Sequence, residues 1–296
     1  MARFQLVERP DWFLEELYPF ESNWVEVDGA QVHYLDEGEG PVLLMLHGNP
    51  TWSFLYRRMV PYLSDRFRCI ALDYPGFGLS KAPDDYGYTP AEHAKIVGSF
   101  VDELGLDPFS LVLHDWGGPI GLTVAQERQD RVQALIVGNS WAWPQTDAAT
   151  ERLASALGEG RSGEFLVDRA NIFVNVFLRR AMRRRSPTGP EMAMWRGPFL
   201  ERSARVAVRV LPRELTGSAE FLQEVEDRLA EVAGLPSLLF WADQDPAFRG
   251  AEKRKWESIL TNRRTYILRH TGHFWQDDAG PEAALMIRYW WDQSGL

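Results

Sequence analysis

Along this 296-residue chain the apolar positions change period in a readable order. Residues 24–36 alternate, as Trp24-Val25-Glu26-Val27 and Gln31-Val32-His33-Tyr34-Leu35 about Asp28-Gly29. That pattern predicts a hairpin of two half-exposed strands. Pro41 to Leu46 is apolar throughout, as a strand buried on both faces should be. Further strand-like runs lie at Phe67 to Leu72, Phe109 to Leu113, Ala134 to Val137, Leu235 to Trp241 and Arg264 to Leu268. Helical spacing occupies Thr89 to Leu104, Ile120 to Glu127 and the C-terminal segment. Strands alternating with helices predict a doubly wound, mostly parallel α/β sheet.

Between Trp141 and Leu235 the strand-like runs disappear, arginine rises, and apolar residues such as Ile172, Phe173, Val176 and Phe177 fall at helical spacing. The expected organisation is a core domain of residues 1–140 and 236–296, with a helical cap over 141–235 inserted after the sixth strand. The run Arg179-Arg180-Ala181-Met182-Arg183-Arg184-Arg185 is expected to be a solvated cap edge, with a self-association surface as the sharper alternative.

Composition narrows the function. A formal charge of −10 disfavours nucleic acid and polyanionic substrates and leaves a small neutral molecule as the expected partner. The single cysteine, Cys69, excludes an internal disulfide framework and fits a reducing compartment. Residues 1–20 carry no apolar leader core, and no run approaches the roughly 20 apolar residues of a membrane helix. A cytoplasmic protein without membrane association is expected.

The chemistry centres on Leu111-Val112-Leu113-His114-Asp115-Trp116-Gly117-Gly118, which reads as strand, tight turn and helix start, the form of a nucleophile elbow. Its apex is Asp115 rather than serine. A serine attacking saturated carbon would leave an ether, whereas a carboxylate leaves an ester that water can cleave. A carboxylate is also ionised at neutral pH and needs no base for the first step. The alternative is that Asp115 merely caps the helix.

A base and an orienting acid should come from other strand ends. His273, in Gly272-His273-Phe274 after the last strand, is the expected base, while His270 is expected to point into packing. In Ala242-Asp243-Gln244-Asp245-Pro246 the acid is Asp245 or Asp243, with Asp245 favoured because it lies deeper in the loop. The sixth strand ends on Asn139, which cannot stabilise an imidazolium as a carboxylate does. Trp116 and Asn49 offer neutral N–H donors suited to a departing halide, or else they pack and cap.

The segments His47-Gly48-Asn49-Pro50-Thr51-Trp52-Ser53, His114-Asp115-Trp116-Gly117-Gly118, Asp245 and Gly272-His273-Phe274 resemble haloalkane dehalogenases of the α/β-hydrolase superfamily. Trp195-Arg196-Gly197-Pro198-Phe199 and Leu211-Pro212-Arg213 extend the likeness into the cap, and Asn139 to Pro144 resembles the third subgroup. The resemblance implies an α/β-hydrolase fold, with Asp115 as nucleophile, His273 as base and Asp245 as acid. It also implies halide binding by Asn49 and Trp116, whose backbone amides form the oxyanion hole, and a pocket lined by Phe173, Leu211 and Phe248. The implied reaction is SN2 attack on a neutral haloalkane, followed by hydrolysis of the alkyl-enzyme by His-activated water to alcohol, halide and a proton. No metal or cofactor is implied. The third subgroup's self-association makes a homo-oligomer one expected state.

Epoxide hydrolases share the elbow aspartate and the His–Asp pair but protonate an alkoxide with two cap tyrosines. No tyrosine occurs between Trp141 and Trp241. A serine esterase would need Gly-x-Ser-x-Gly, which is absent, and a non-catalytic receptor would predict a broken triad.

Overall fold

Residues 9–296 are described by a computed structural model of the chain. The opening stretch read for a leader lies partly outside them. Eight strands form one sheet in the order β1-β2-β4-β3-β5-β6-β7-β8. The hairpin is β1 (Asn23–Val27) and β2 (Ala30–Glu37), turned by Asp28 and Gly29 at φ 48° and 77°. Two consecutive positive φ values are what a two-residue turn of this twist requires. β2 runs antiparallel to β4 (Arg68–Leu72), and every pair beyond is parallel: β3 (Val42–Leu46), β5 (Phe109–Asp115), β6 (Val132–Ser140), β7 (Ser237–Ala242) and β8 (Arg263–Leu268).

The central strands are apolar because helices cover both faces; Leu43 to Leu46 and Leu111 to Leu113 are fully buried. α1 (Pro90–Glu103) begins at a Thr89/Glu92 capping box, and α2 (Gly117–Glu127) follows β5. Between β3 and β4 the crossover consists of short 3₁₀ turns, including Ser53–Arg58.

From β6 to β7 the described chain contains helices and no strand: α3 (Ala148–Gly158), α4 (Gly160–Gly163), α5 (Leu178–Ala181), α6 (Gly189–Arg196), α7 (Val206–Gly217) and α8 (Ala219–Asp227). Two wide π-helical turns, Glu164–Arg169 and Phe173–Phe177, interrupt it. α9 (Gly250–Ile259), α10 (Trp275–Asp278) and α11 (Gly280–Ser294) complete the core. The loops after β3, β5, β6, β7 and β8 all open on the carboxyl edge of the sheet, where side chains from distant sequence positions can converge.

Candidate active site

β5 ends on Asp115 at φ 52°, in the left-handed region that side chains seldom adopt. Close approach makes the turn possible. A Cβ on Gly48 would fall 2.2 Å from Asp115 Oδ1, and one on Gly117 would fall 2.3 Å from the Leu46 carbonyl. The Asn49 N–H donates to Asp115 Oδ1 at 2.9 Å, and the Trp116 N–H also serves this carboxylate. Burial raises the Asp115 pKa, against the opposing pull of His273 and these two amides.

His273 lies in the loop after β8 and is almost completely buried. Its Nδ1 is 2.9 Å from Asp245 Oδ2, and its Nε2 is 3.7 Å from Asp115 Oδ2. Burial alone would lower its pKa; the charges of Asp245 and Asp115 outweigh it and the pKa is raised. Asp245 is fixed by three more donors: the Ala247 and Phe248 amides on Oδ1 at 2.7 and 3.2 Å, and Asn139 Nδ2 on Oδ2 at 2.8 Å. Asp243 faces elsewhere, accepting from the Thr271 amide at 3.4 Å and lying 3.7 Å from Arg269. Beneath His273, His114 Nε2 meets its carbonyl at 2.9 Å. Burial and the neighbouring His273 push the His114 pKa well down, so that ring is neutral and donates.

Trp116 is buried, and among the described residues its indole N–H donates no hydrogen bond. Asn49 Nδ2 donates one hydrogen to the Val208 carbonyl at 3.3 Å, keeping a second hydrogen for a ligand. The surroundings are aromatic. Phe248 stacks on His273 and on Trp141 with centroids 5.7 and 5.3 Å away, and Trp141 meets Trp116 edge-on at 4.7 Å. Phe177 lies 5.7 Å from His273, with Phe173 behind it. Leu211 is buried on α7, the helix whose Val208 receives Asn49. Trp141, Phe177, Asn139 and Ser140 were not singled out from sequence as site residues. Trp141 had a local signal in its place just beyond a strand end; Phe177 had none beyond helical spacing.

Residues 41–279 match the α/β hydrolase fold family. Haloalkane dehalogenase 2 of Mycobacterium bovis is 38% identical over 274 residues, covering 92% of this chain and 95% of that protein. The chain belongs to the haloalkane dehalogenase family. A cis-3-alkyl-4-alkyloxetan-2-one decarboxylase of Shewanella oneidensis is also similar, 29% identical over 93% of this chain and 90% of that protein. Among solved structures, haloalkane dehalogenase DbeA from Bradyrhizobium elkani superposes with a TM-score of 0.81 at 29% identity, covering 90% of this chain and 94% of that one.

In this dehalogenase-family chain Arg179, Arg180, Arg183 and Arg184 are exposed, as expected of a solvated edge, while Arg185 is half-buried and the backbone at the far end of the run docks on the core. Asp278 accepts from the backbone amides of Arg183, Arg184 and Gly272 at 2.7, 3.2 and 2.8 Å. Arg185 pairs with Glu191 and Asp277, and buried Arg57 pairs with the same two acids at 2.8 Å each. Those contacts tie the segment before α6 to the loop that carries His273. The expectation for His270 is corrected: it does not pack but is exposed at φ 55°, with Gln244 Nε2 3.4 Å from its Nδ1. A left-handed turn just after β8 swings it off the sheet.

Among the described residues no helix is long and apolar enough to cross a membrane, and no cluster of His, Cys, Asp and Glu is arranged to hold a metal ion. A groove of about 340 Å³ between α2 and α8, lined by Gln126, Phe221 and Glu224 among others, includes none of the site residues.

Proposed function

We propose that this enzyme hydrolyses carbon–halogen bonds of small neutral haloalkanes through an alkyl ester on Asp115. The observation that carries the proposal is the division of labour between the two Asp115 oxygens. Oδ1 is held by the Asn49 amide, while Oδ2 stands 3.7 Å from His273 Nε2, beyond hydrogen-bond range. Oδ2 therefore keeps a free lone pair. It attacks the carbon, the carbon–halogen bond breaks, and its electron pair leaves as halide between Trp116 Nε1–H and Asn49 Nδ2–H.

The ester then needs water. His273 Nε2 takes a proton from it as the oxygen adds to the Asp115 carboxyl carbon, Asp245 supports the imidazolium, and the Asn49 and Trp116 amides receive the oxyanion. On collapse the alkoxide departs with the proton held by His273 to give the alcohol, and the Asp115 carboxyl loses its remaining proton to restore the carboxylate. Residues 141–235 act as a cap, with Phe173, Leu211 and Phe248 shaping an apolar chamber. The products are alcohol, halide and a proton, with water as the only cosubstrate.

The test is halide release from chloro-, bromo- and iodoalkanes, run beside an epoxide and an oxetan-2-one. The decarboxylase relative makes the last comparison informative. Halide release with negligible diol or alkene supports the proposal; turnover of the oxetan-2-one alone would overturn it.

A further inference from the structure

The end of β6 is irregular in a way that concerns both carboxylates. His114 of β5 pairs with Gly138, but the next residue, Asp115, pairs with Ser140. Asn139 is thus an extra residue on β6, and its φ of 46° marks the bulge. A bulge re-aims consecutive side chains. Here the Asn139 amide turns toward β7, accepting from the Ala242 N–H at 2.8 Å and donating to Asp245 Oδ2 at 2.8 Å. The Ser140 hydroxyl turns toward β5 and donates to the Asp115 carbonyl at 2.7 Å.

The surroundings hold this geometry in place. Trp275 Nε1 donates to the Gly138 carbonyl at 3.2 Å, and Trp256 Nε1 donates to the Ser140 carbonyl at 2.8 Å. A Cβ on Gly118 would lie 1.8 Å from Ser140 Oγ, so only glycine leaves the hydroxyl its place.

We infer that Asn139 and Ser140 form a two-residue yoke, in which Ser140 positions the nucleophile elbow and Asn139 positions the acid, each a positioning residue for the same hydrolytic step. The inference rests on Asp115 acting as the nucleophile. The peptide unit joining Asp115 to Trp116 is planar, and in the trans form its C=O and N–H point in opposite directions. Ser140 anchors the carbonyl end. The other end is the Trp116 N–H that serves the Asp115 carboxylate, the donor expected to meet the oxyanion during ester hydrolysis. Fixing one end fixes the other. Alkylation makes no such demand, because the charge then leaves with the halide.

Asn139 acts on a different property. It shares Asp245 Oδ2 with His273 Nδ1, and a second donor on one oxygen tempers that oxygen's hold on an imidazolium. Without it, His273 would hold its proton more firmly and be a neutral base only at higher pH.

The two roles predict distinct kinetics in rapid-quench experiments with 1-iodobutane on the full-length enzyme. Ser140→Ala should slow hydrolysis of the alkyl-enzyme by about three- to tenfold, the worth of one hydrogen bond, at an unchanged pH midpoint and with halide release in the first turnover nearly unaltered. Asn139→Ala should move the acidic midpoint of hydrolysis to higher pH, by about half a pH unit or more. Should Ser140→Ala not fold, Ser140→Cys retains a weak donor and should show the same selective slowing, more mildly. Equal slowing of both steps, or unchanged hydrolysis in the Ser140 variants, would overturn the inference while leaving the alkyl-enzyme intact. Absence of any alkyl-enzyme in the parent protein would instead refute the nucleophile assignment on which it rests.

Discussion

His273 Nε2 stands 3.7 Å from Asp115 Oδ2, while its Nδ1 lies 2.9 Å from Asp245. In the proposed mechanism the asymmetry separates the base from the nucleophile and couples it to the acid. A serine-type elbow needs the opposite, a close nucleophile–base hydrogen bond that removes the attacking proton. A carboxylate has no proton to remove, so the gap costs the first step nothing and leaves room for the carbon and later for water.

The unpartnered indole of Trp116 makes the halide role testable. Hydrogen bonds to charged groups contribute about 1.5–3 kcal/mol, so Trp116→Phe should slow carbon–halogen cleavage by about one to two orders of magnitude. Ester hydrolysis should change far less. Single-turnover halide release is the measurement, and an unchanged cleavage rate would remove Trp116 from the halide site.

Asp245 and Asp243 are one residue apart in sequence but have different functions in the proposed mechanism. Asp245→Asn should leave alkylation largely intact and impair hydrolysis, because the amide no longer supports the imidazolium. Asp243→Asn touches only the Thr271 and Arg269 contacts and should leave both steps near the parent rates. Rates for the two variants, compared step by step, decide the assignment; the reverse pattern would transfer the role to Asp243.

The hydrolytic step should also have a characteristic pH dependence. The carboxylates raise the His273 pKa despite its burial, and only the neutral ring can take a proton from water. The rate of alkyl-enzyme breakdown should therefore fall on the acid side. Esterification removes the Asp115 charge and leaves Asp245 to support the imidazolium, so the midpoint should lie below that of His273 in the free enzyme, read by NMR titration. A midpoint at or above the free-enzyme value would mean that the Asp115 charge is not lost in the species that breaks down.

Much of the arrangement could be read locally. Asp115 announced itself through a buried strand running into paired glycines, and Asp28-Gly29 set the hairpin through its backbone preference. The loops carrying Asp245 and His273 each follow a strand at the sheet's carboxyl edge, so their approach to Asp115 followed from topology. Asn139 and Ser140 were hidden for a different reason. One extra residue in β6 reverses which way each side chain points, and nothing in the local composition of Gly138-Asn139-Ser140 marks the bulge. The docking of Arg185 at the end of the exposed arginine run could not be read because its partners are Glu191 and Asp277, the latter 92 residues away. Charge pattern along the chain records the cations but not the distant acids that receive them.

That ionic cluster carries a stability prediction. Arg57 is buried between Glu191 and Asp277, so Arg57→Ala leaves acids short of a partner and should destabilise by about 3–5 kcal/mol. Burial alone would raise the Glu191 pKa, but Arg185, the Thr188 amide and Arg57 outweigh it and bring it down to about 2. A depressed folded-state value gives stability that is full above the ordinary glutamate pKa of about 4.5 and lost as pH falls toward about 2. Denaturant melts of parent and variant at pH 7 and pH 3 measure both effects. The gap between them should narrow at pH 3; a gap equal at both pH values, or none at all, would contradict this reading of the cluster.

The central claim is the ester on Asp115, and the variant that tests it most directly is His273→Phe. A phenyl ring keeps a planar shape but cannot accept a proton, and a general base typically contributes about 10²–10⁴-fold to its step. Alkylation should proceed while hydrolysis stalls. Mixed with excess haloalkane, the variant should release close to one halide per active site and then nearly stop. Mass spectrometry of the digested protein should find the alkyl group on the peptide containing Asp115. Sustained turnover by the variant, or an adduct on any other residue, would contradict the assignment of Asp115 and His273 together.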